Sequence, residues 1–167
     1  VASNGKERLL HNRLHATKPK MHLLPIKQRL EDNKQFTTDS LGRLTVEMTI
    51  DFYKKVGFVE PWIGYYVELD GDLVGSAGFK GPPVNGIVEL AYGTDEKYRN
   101  MGIGTKICML LVDLSLKTDP LIKITAKTFS KYNYSTRILQ KNKFICIGTV
   151  NDPEDGEVWE WLFSIGT

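Results

Sequence analysis

The stretch Glu89-Leu90-Ala91-Tyr92-Gly93-Thr94-Asp95-Glu96-Lys97-Tyr98-Arg99-Asn100-Met101-Gly102-Ile103-Gly104-Thr105 decides how this chain folds. Val88, Leu90 and Tyr92 alternate with Glu89 and Ala91 at the period of a strand, whereas Ile103, Ile107, Leu110, Leu111 and Leu114 recur at helical spacing. Gly102 and Gly104 remove Cβ atoms where the intervening loop enters the first helical turn, so main-chain N–H groups there are free to point outward. Those amides, with the positive end of the helix dipole behind them and Arg99 beside them, suit a phosphate or pyrophosphate. An ordinary helix-entry turn uses glycines in the same way. Two phosphate-binding patterns fail on spacing: no Gly-Lys-Ser/Thr ending follows the glycines, and a dinucleotide fingerprint needs a third glycine.

Working outward, Pro61 to Leu69 and Leu73 to Lys80 flank Asp70-Gly71-Asp72, a strong hairpin signal. Gly81-Pro82-Pro83 ends the second strand, and Asn85-Gly86 turns the chain into the Glu89 strand. Three consecutive antiparallel strands are expected. The loop and helix from Thr94 to Lys117 then carry the chain to Leu121–Thr128, a strand able to lie parallel to the Glu89 strand. Tyr132 to Lys143 reads as a second helix with Ile138 and Leu139 inward, and Phe144–Val150 with Glu157–Ser164 as a closing hairpin that puts Trp159, Trp161 and Phe163 on one face. Upstream, Met21–Ile26 is a first strand and Lys27–Phe36 a polar amphipathic helix. A further helix begins at the candidate N-cap Thr45 and closes at Gly57 in a left-handed conformation. The order is β, α, α, β, β, β, α, β, α, β, β.

The pattern Arg99-x-x-Gly102-x-Gly104 after a strand resembles motif A of the GNAT superfamily, the acetyl-CoA-dependent N-acyltransferases. The resemblance implies a mixed, mostly antiparallel α/β (α+β) sheet, flanked by helices and splayed between its fourth and fifth strands. It also implies that Arg99, Asn100, Met101, Gly102, Ile103 and Gly104 wrap the CoA pyrophosphate with main-chain amides, with Thr105 adjacent. Asn133-Tyr134-Ser135-Thr136-Arg137-Ile138-Leu139-Gln140-Lys141-Asn142-Lys143-Phe144 resembles a segment of the branch that includes ribosomal-protein N-terminal acetyltransferases, as does Phe79 to Pro83. The likeness covers roughly residues 60 to 164. Lys143 replaces the glycine usual before the phenylalanine, and Leu139 stands where many members place a tyrosine acid.

Composition sets outer limits. The chain's 167 residues suit one domain, with 25% charged and 41% hydrophobic residues, and no apolar run approaches bilayer-spanning length. A net charge of +2 is too small to argue for a nucleic-acid partner. Cys108 and Cys146 lie in apolar runs and read as buried free thiols, which fits a reducing, cytoplasmic setting. Residues 1–20 read as a weakly ordered N-terminal extension to a single domain spanning 21–167. His11 and His15 stand one helical turn apart with no third ligand nearby, so no metal is expected. The chain is expected to act as a monomer or homodimer, without nucleic acid or membrane.

Acetylating an amine requires its neutral form, about one part in a thousand at pH 7 for a pKa near 10. A base is therefore useful. Glu89 matches the strand glutamate that some relatives use, directly or through water; a structural ion pair within the sheet is the other reading of this residue. The resemblance makes Ser135 the first choice of donor to the leaving thiolate, with Tyr134 and Tyr132 behind it; a capping hydroxyl is the plainer role. Asn133 is expected either to hydrogen-bond the pantetheine arm or to cap the helix. Main-chain groups from Leu90 and Ala91 to Tyr92 and Gly93 are expected to hold the same arm and help the developing oxyanion. The acidic loop Asp152, Glu154, Asp155 and Glu157 is expected at the acceptor mouth, attracting a cationic amine or simply solvated. Together these readings describe transfer from acetyl-CoA to a small-molecule amine or a protein N-terminus. A non-catalytic acyl-CoA-binding sensor or interaction module is the alternative.

Overall fold

The computed structural model describes residues 20–165. The N-terminal extension, all but its last residue, and the His11/His15 pair lie outside that range. A single seven-stranded sheet runs in the order β1-β2-β3-β4-β5-β7-β6. Its strands are β1 (Met21–Pro25), β2 (Gly64–Leu69), β3 (Asp72–Phe79), β4 (Ile87–Thr94), β5 (Lys123–Phe129), β6 (Phe144–Asp152) and β7 (Gly156–Phe163). Every neighbouring pair is antiparallel except β4 with β5. Three helices flank the sheet: α1 (Ser40–Val56), α2 (Ile103–Thr118) and α3 (Tyr134–Lys141). The expected sheet is the one observed, and so is the order of elements, except that 3-10 turns stand in place of the first expected helix.

The two tight turns form as their residues dictate. Asp70 and Gly71 both have positive φ, 51° and 91°, as do Asn85 and Gly86, at 51° and 73°. This is the backbone that Asp-Gly and Asn-Gly adopt most cheaply, and its twist matches the flanking strands.

Alternation along the strands sorts the core into two faces. Tyr65, Val67, Val88 and Leu90 pack with Ile107, Cys108 and Leu111 of α2 and with Leu139 of α3. On the opposite face Tyr66 and Leu24 pack with Val46 and Ile50 of α1 and with Phe36. Fully burying a side chain such as Leu111 or Trp161 contributes about 1.5–3 kcal/mol, so the sheet is held from both sides.

Three expectations need correction near α1. The helix is capped by Asp39, whose side chain accepts from Gly42 N–H at 2.8 Å. Thr45 sits inside the helix, where its hydroxyl donates to the Leu41 carbonyl. Gly57 ends α1 with positive φ, but at ψ 166° it lies outside the left-handed helical region. Only Leu30–Phe36 of the expected Lys27–Phe36 helix is helical, as 3-10 turns broken at Asn33. Asn33 is fully buried; it accepts from Lys27 N–H and donates to the Lys27 and Arg29 carbonyls, which folds the segment back on itself.

Pairing between β4 and β5 covers only Ile87 to Leu90 against Lys123 to Ala126, after which the strands part. Lys80 N–H donates to the Glu89 carbonyl and Asp95 N–H to the Val74 carbonyl, each at 2.9 Å. Odd-numbered main-chain groups of β4 are therefore turned toward β3, and even-numbered ones toward β5. Past Leu90, those of Tyr92 and Thr94 face the opening.

Candidate active site

Three cavities lie along this stretch of β4. The first, of about 280 Å³, lies over the N-terminus of α2 and is lined by Arg99, Asn100, Gly102, Ile103, Gly104 and Thr105, with Tyr134, Arg137 and Lys141 across it. Gly102 is the N-cap in the left-handed conformation (φ 75°, ψ 5°), and no side chain caps the helix. The amides of the first turn thus lack an intrahelical acceptor. Asn100 is also left-handed, at φ 61°. Gly104 is buried, and a Cβ there would lie 2.7 Å from Ile138 Cδ1, so the glycine lets α2 and α3 approach. Oriented amides, a helix dipole and three cationic side chains are the groups that favour an anion.

Most of the residues expected at that site are brought together there. Met101 does not line this cavity and is 64% exposed. Arg137 and Lys141 escaped the sequence reading, although their spacing of three and seven from Tyr134 puts all three on one helical face.

The second cavity, about 190 Å³, sits at the parting of the strands and brings Glu89 and Ser135 together with Lys127, Asp152 and Asp155; Leu90, Ala91 and Tyr92 also line it. Lys127 Nζ lies 2.8 Å from Asp152 and 3.4 Å from Glu89. The pairing raises the Lys127 ammonium above its ordinary value, chiefly through the hydrogen bond it donates to Asp152. In turn that bond, with the N–H groups of Glu154 and Asp155, holds the Asp152 carboxyl down at about 2. Lys127 was not foreseen, because which strand residue meets Glu89 depends on a register that only the folded sheet defines.

Asn133 is the N-cap of α3, its side chain accepting from Ser135 and Thr136 N–H in a capping box. The cap is thus Asn133, not Ser135, and Ser135 lines the second cavity. Tyr134 lines the first cavity rather than the one that holds Glu89, and Tyr132 stacks edge-on against Trp159. Burial first, then Cys108 and Tyr134, push the Tyr92 phenol well up; burial likewise pushes the Cys108 thiol up to about 12. Cys108 is buried as expected, but Cys146 is exposed, because β6 is an edge strand with a bulge between Cys146 and Gly148. The acidic loop borders this second cavity through Asp152 and Asp155, with Asp152 spent on Lys127 and on its own turn.

The third cavity, about 540 Å³, lies between α1 and the sheet, and adjoins the second at Lys80, Ala91 and Tyr92. Gly93 lines it with an open approach: a Cβ there would meet nothing within 4 Å. Its main-chain groups turn toward β3, so of the pair Tyr92 and Gly93 it is Tyr92 that faces the opening. Among the described residues no group of three or more His, Cys, Asp or Glu is placed to hold a metal, and no helix is long and apolar enough to cross a membrane.

Residues 36–144 match the Acetyltransferase (GNAT) family. The chain belongs to that family, and its class is that of the acetyl-CoA-dependent N-acetyltransferases. No curated protein matches its sequence. Among solved structures, aminoglycoside acetyltransferase AAC(6')-Ib in complex with coenzyme A is 18% identical with a TM-score of 0.62, over 89% of this chain and 95% of that one. RimL, a ribosomal L7/L12 alpha-N-protein acetyltransferase in complex with coenzyme A, is 16% identical with a TM-score of 0.63, over 85% and 92%. An acetyl transferase from Salmonella typhimurium that modifies the N-terminal serine of ribosomal protein L7/L12 is 15% identical with a TM-score of 0.64, over 87% and 95%. These likenesses establish a shared fold.

Proposed function

We propose that the protein transfers an acetyl group from acetyl-CoA directly to a primary amine, both substrates being bound at once. The observation that carries this reading is the succession of three cavities along β4: one at the uncapped α2 terminus, one with a carboxylate and a hydroxyl where β4 and β5 part, and a larger one that adjoins the second.

In this reading the amides of Ile103, Gly104 and Thr105, with Arg99, Arg137 and Lys141, hold the pyrophosphate of CoA. Neutralising that charge on fixed main-chain dipoles needs no rearrangement as the complex forms. The main-chain groups of Tyr92 that face the opening align the pantetheine arm and donate to the developing oxyanion, with the amide nitrogen of Asn133 on the other side. Glu89 takes the proton from the incoming ammonium, directly or through water, and Lys127 fixes the carboxylate in place at 3.4 Å. Ser135 donates to the departing thiolate, with Tyr134 as the second donor. Two acceptor sources fit this chemistry, a free amine and a protein N-terminus.

Positioned proton transfer is worth about 10²–10⁴ in rate. Glu89→Gln is expected to lower kcat by about 10²-fold near neutral pH and to flatten the acid limb of the pH–rate profile, while acetyl-CoA affinity by calorimetry stays as in the wild type. An unchanged profile assigns Glu89 to the ion pair alone.

A further inference from the structure

We infer that the acceptor amine carries a bulky, uncharged, apolar group, of at least the size of an aromatic ring, which lodges under α1. This deepens the transfer reading above and rests on it. The third cavity, at about 540 Å³, falls within the range of chambers that enclose a small molecule. Met48, Phe52 and Tyr53 of α1 stand over a floor made by the small sheet residues Gly64, Gly78 and Ala91. None of its lining residues is an Asp or Glu, and Lys80, at the end that joins the second cavity, is the sole charge on its wall.

The carboxylates lie elsewhere. Glu89 and Asp155 line the adjoining second cavity, next to Ser135. A molecule spanning both chambers therefore has its ammonium among carboxylates and its body against aromatic rings and a methionine. A polycation of the same length meets the opposite arrangement. Its second ammonium is desolvated against apolar walls with only another cation near, a position that costs far more than an apolar group returns. The apolar surface also continues out of the cavity along α1. Leu41, Leu44 and Met48 fall on one stripe at 72%, 53% and 65% exposure, leaving room for a longer apolar group to follow the helix.

The chemistry has two sources, a free arylalkylamine or a peptide whose first residue is aromatic or aliphatic. The test compares kcat/KM for CoA release at saturating acetyl-CoA with 2-phenylethylamine, the amide of Phe-Gly-Gly, spermidine and kanamycin. The full chain is used, as wild type and as Met48→Glu, a change on an exposed side chain that adds a carboxylate to the cavity wall. Wild type is expected to favour 2-phenylethylamine or the peptide over both polycations by about tenfold or more. In Met48→Glu that ratio is expected to fall by about tenfold, with the thermal shift from acetyl-CoA unchanged. Whichever of the free amine and the peptide has the higher kcat/KM identifies the source. Preference for spermidine or kanamycin overturns this inference and leaves acetyl transfer standing. An unchanged ratio in Met48→Glu also overturns it, since the acceptor's body then lies outside this cavity. Turnover of no amine by protein that binds acetyl-CoA overturns both readings.

Discussion

At Lys143 the chain turns at φ 65°, a left-handed conformation that costs an L side chain about 1–2 kcal/mol. The turn is nonetheless formed, with Lys143 N–H donating to the Gln140 carbonyl and Ser164 N–H donating to that of Lys143. The lysine that stands where a glycine was expected thus leaves the geometry intact and carries its strain. Part of that strain is offset by the smaller unfolded-state entropy of a lysine relative to glycine. Lys143→Gly is accordingly expected to raise stability by about 0.5–1 kcal/mol in urea unfolding, with kcat unaffected. The same scale explains two errors of sequence reading. Thr45 has the right chemistry for an N-cap, but Asp39 lies upstream with Gly42 three residues on, and the helix starts at the earlier signal. Asn33 has the chemistry of a turn residue, yet it is the most buried polar group of its segment, because three hydrogen bonds to Lys27 and Arg29 satisfy it.

Among the elements, the β6–β7 hairpin is tied to the centre of the sheet by Lys127, which bridges Asp152 at its tip to Glu89 on β4. The sign of its pH dependence follows from Asp152, whose carboxyl is held at about 2 against an ordinary 3.8. A carboxyl depressed on folding stabilises the native state above its unfolded pKa and loses that contribution as pH falls through the folded one. Wild-type stability is therefore expected to decline between about pH 4 and pH 2 through this group. Lys127→Met is expected to flatten that part of the curve in urea titrations across the same window. The raised Lys127 ammonium acts in the other direction, its contribution present below the ordinary lysine range and lost above it. Both strands and helices of this region were legible in their periodicity. The clasp was not, since Glu89 sits opposite Thr125 and the lysine two residues on reaches back to it only once that register exists.

Across the whole molecule, legibility divides by range. The strand, loop and helix from Glu89 to Thr105 specify themselves within one stretch of chain, as do the Asp70-Gly71 and Asn85-Gly86 turns, so the order of elements and the anion site could be read locally. The chamber under α1 could not, because its wall is assembled from a helix and three strands that no short window contains. Acetyl-CoA binding should register globally: at about 100 times its Kd, a ligand specific to the folded state adds about 2.7 kcal/mol of stability. An Arg137→Ala, Lys141→Ala double variant, which removes two exposed cations lining the first cavity, is expected to lose much of that gain in denaturation with acetyl-CoA, while retaining the fold by circular dichroism in its absence. Where β4 and β5 part, only four residue pairs join the half-sheet β1–β4 to the half-sheet β5–β7–β6. In the proposed binding mode acetyl-CoA spans this seam as a suture, so saturating acetyl-CoA is expected to slow proteolytic nicking there, read as the rate of cleavage by a protease with and without it.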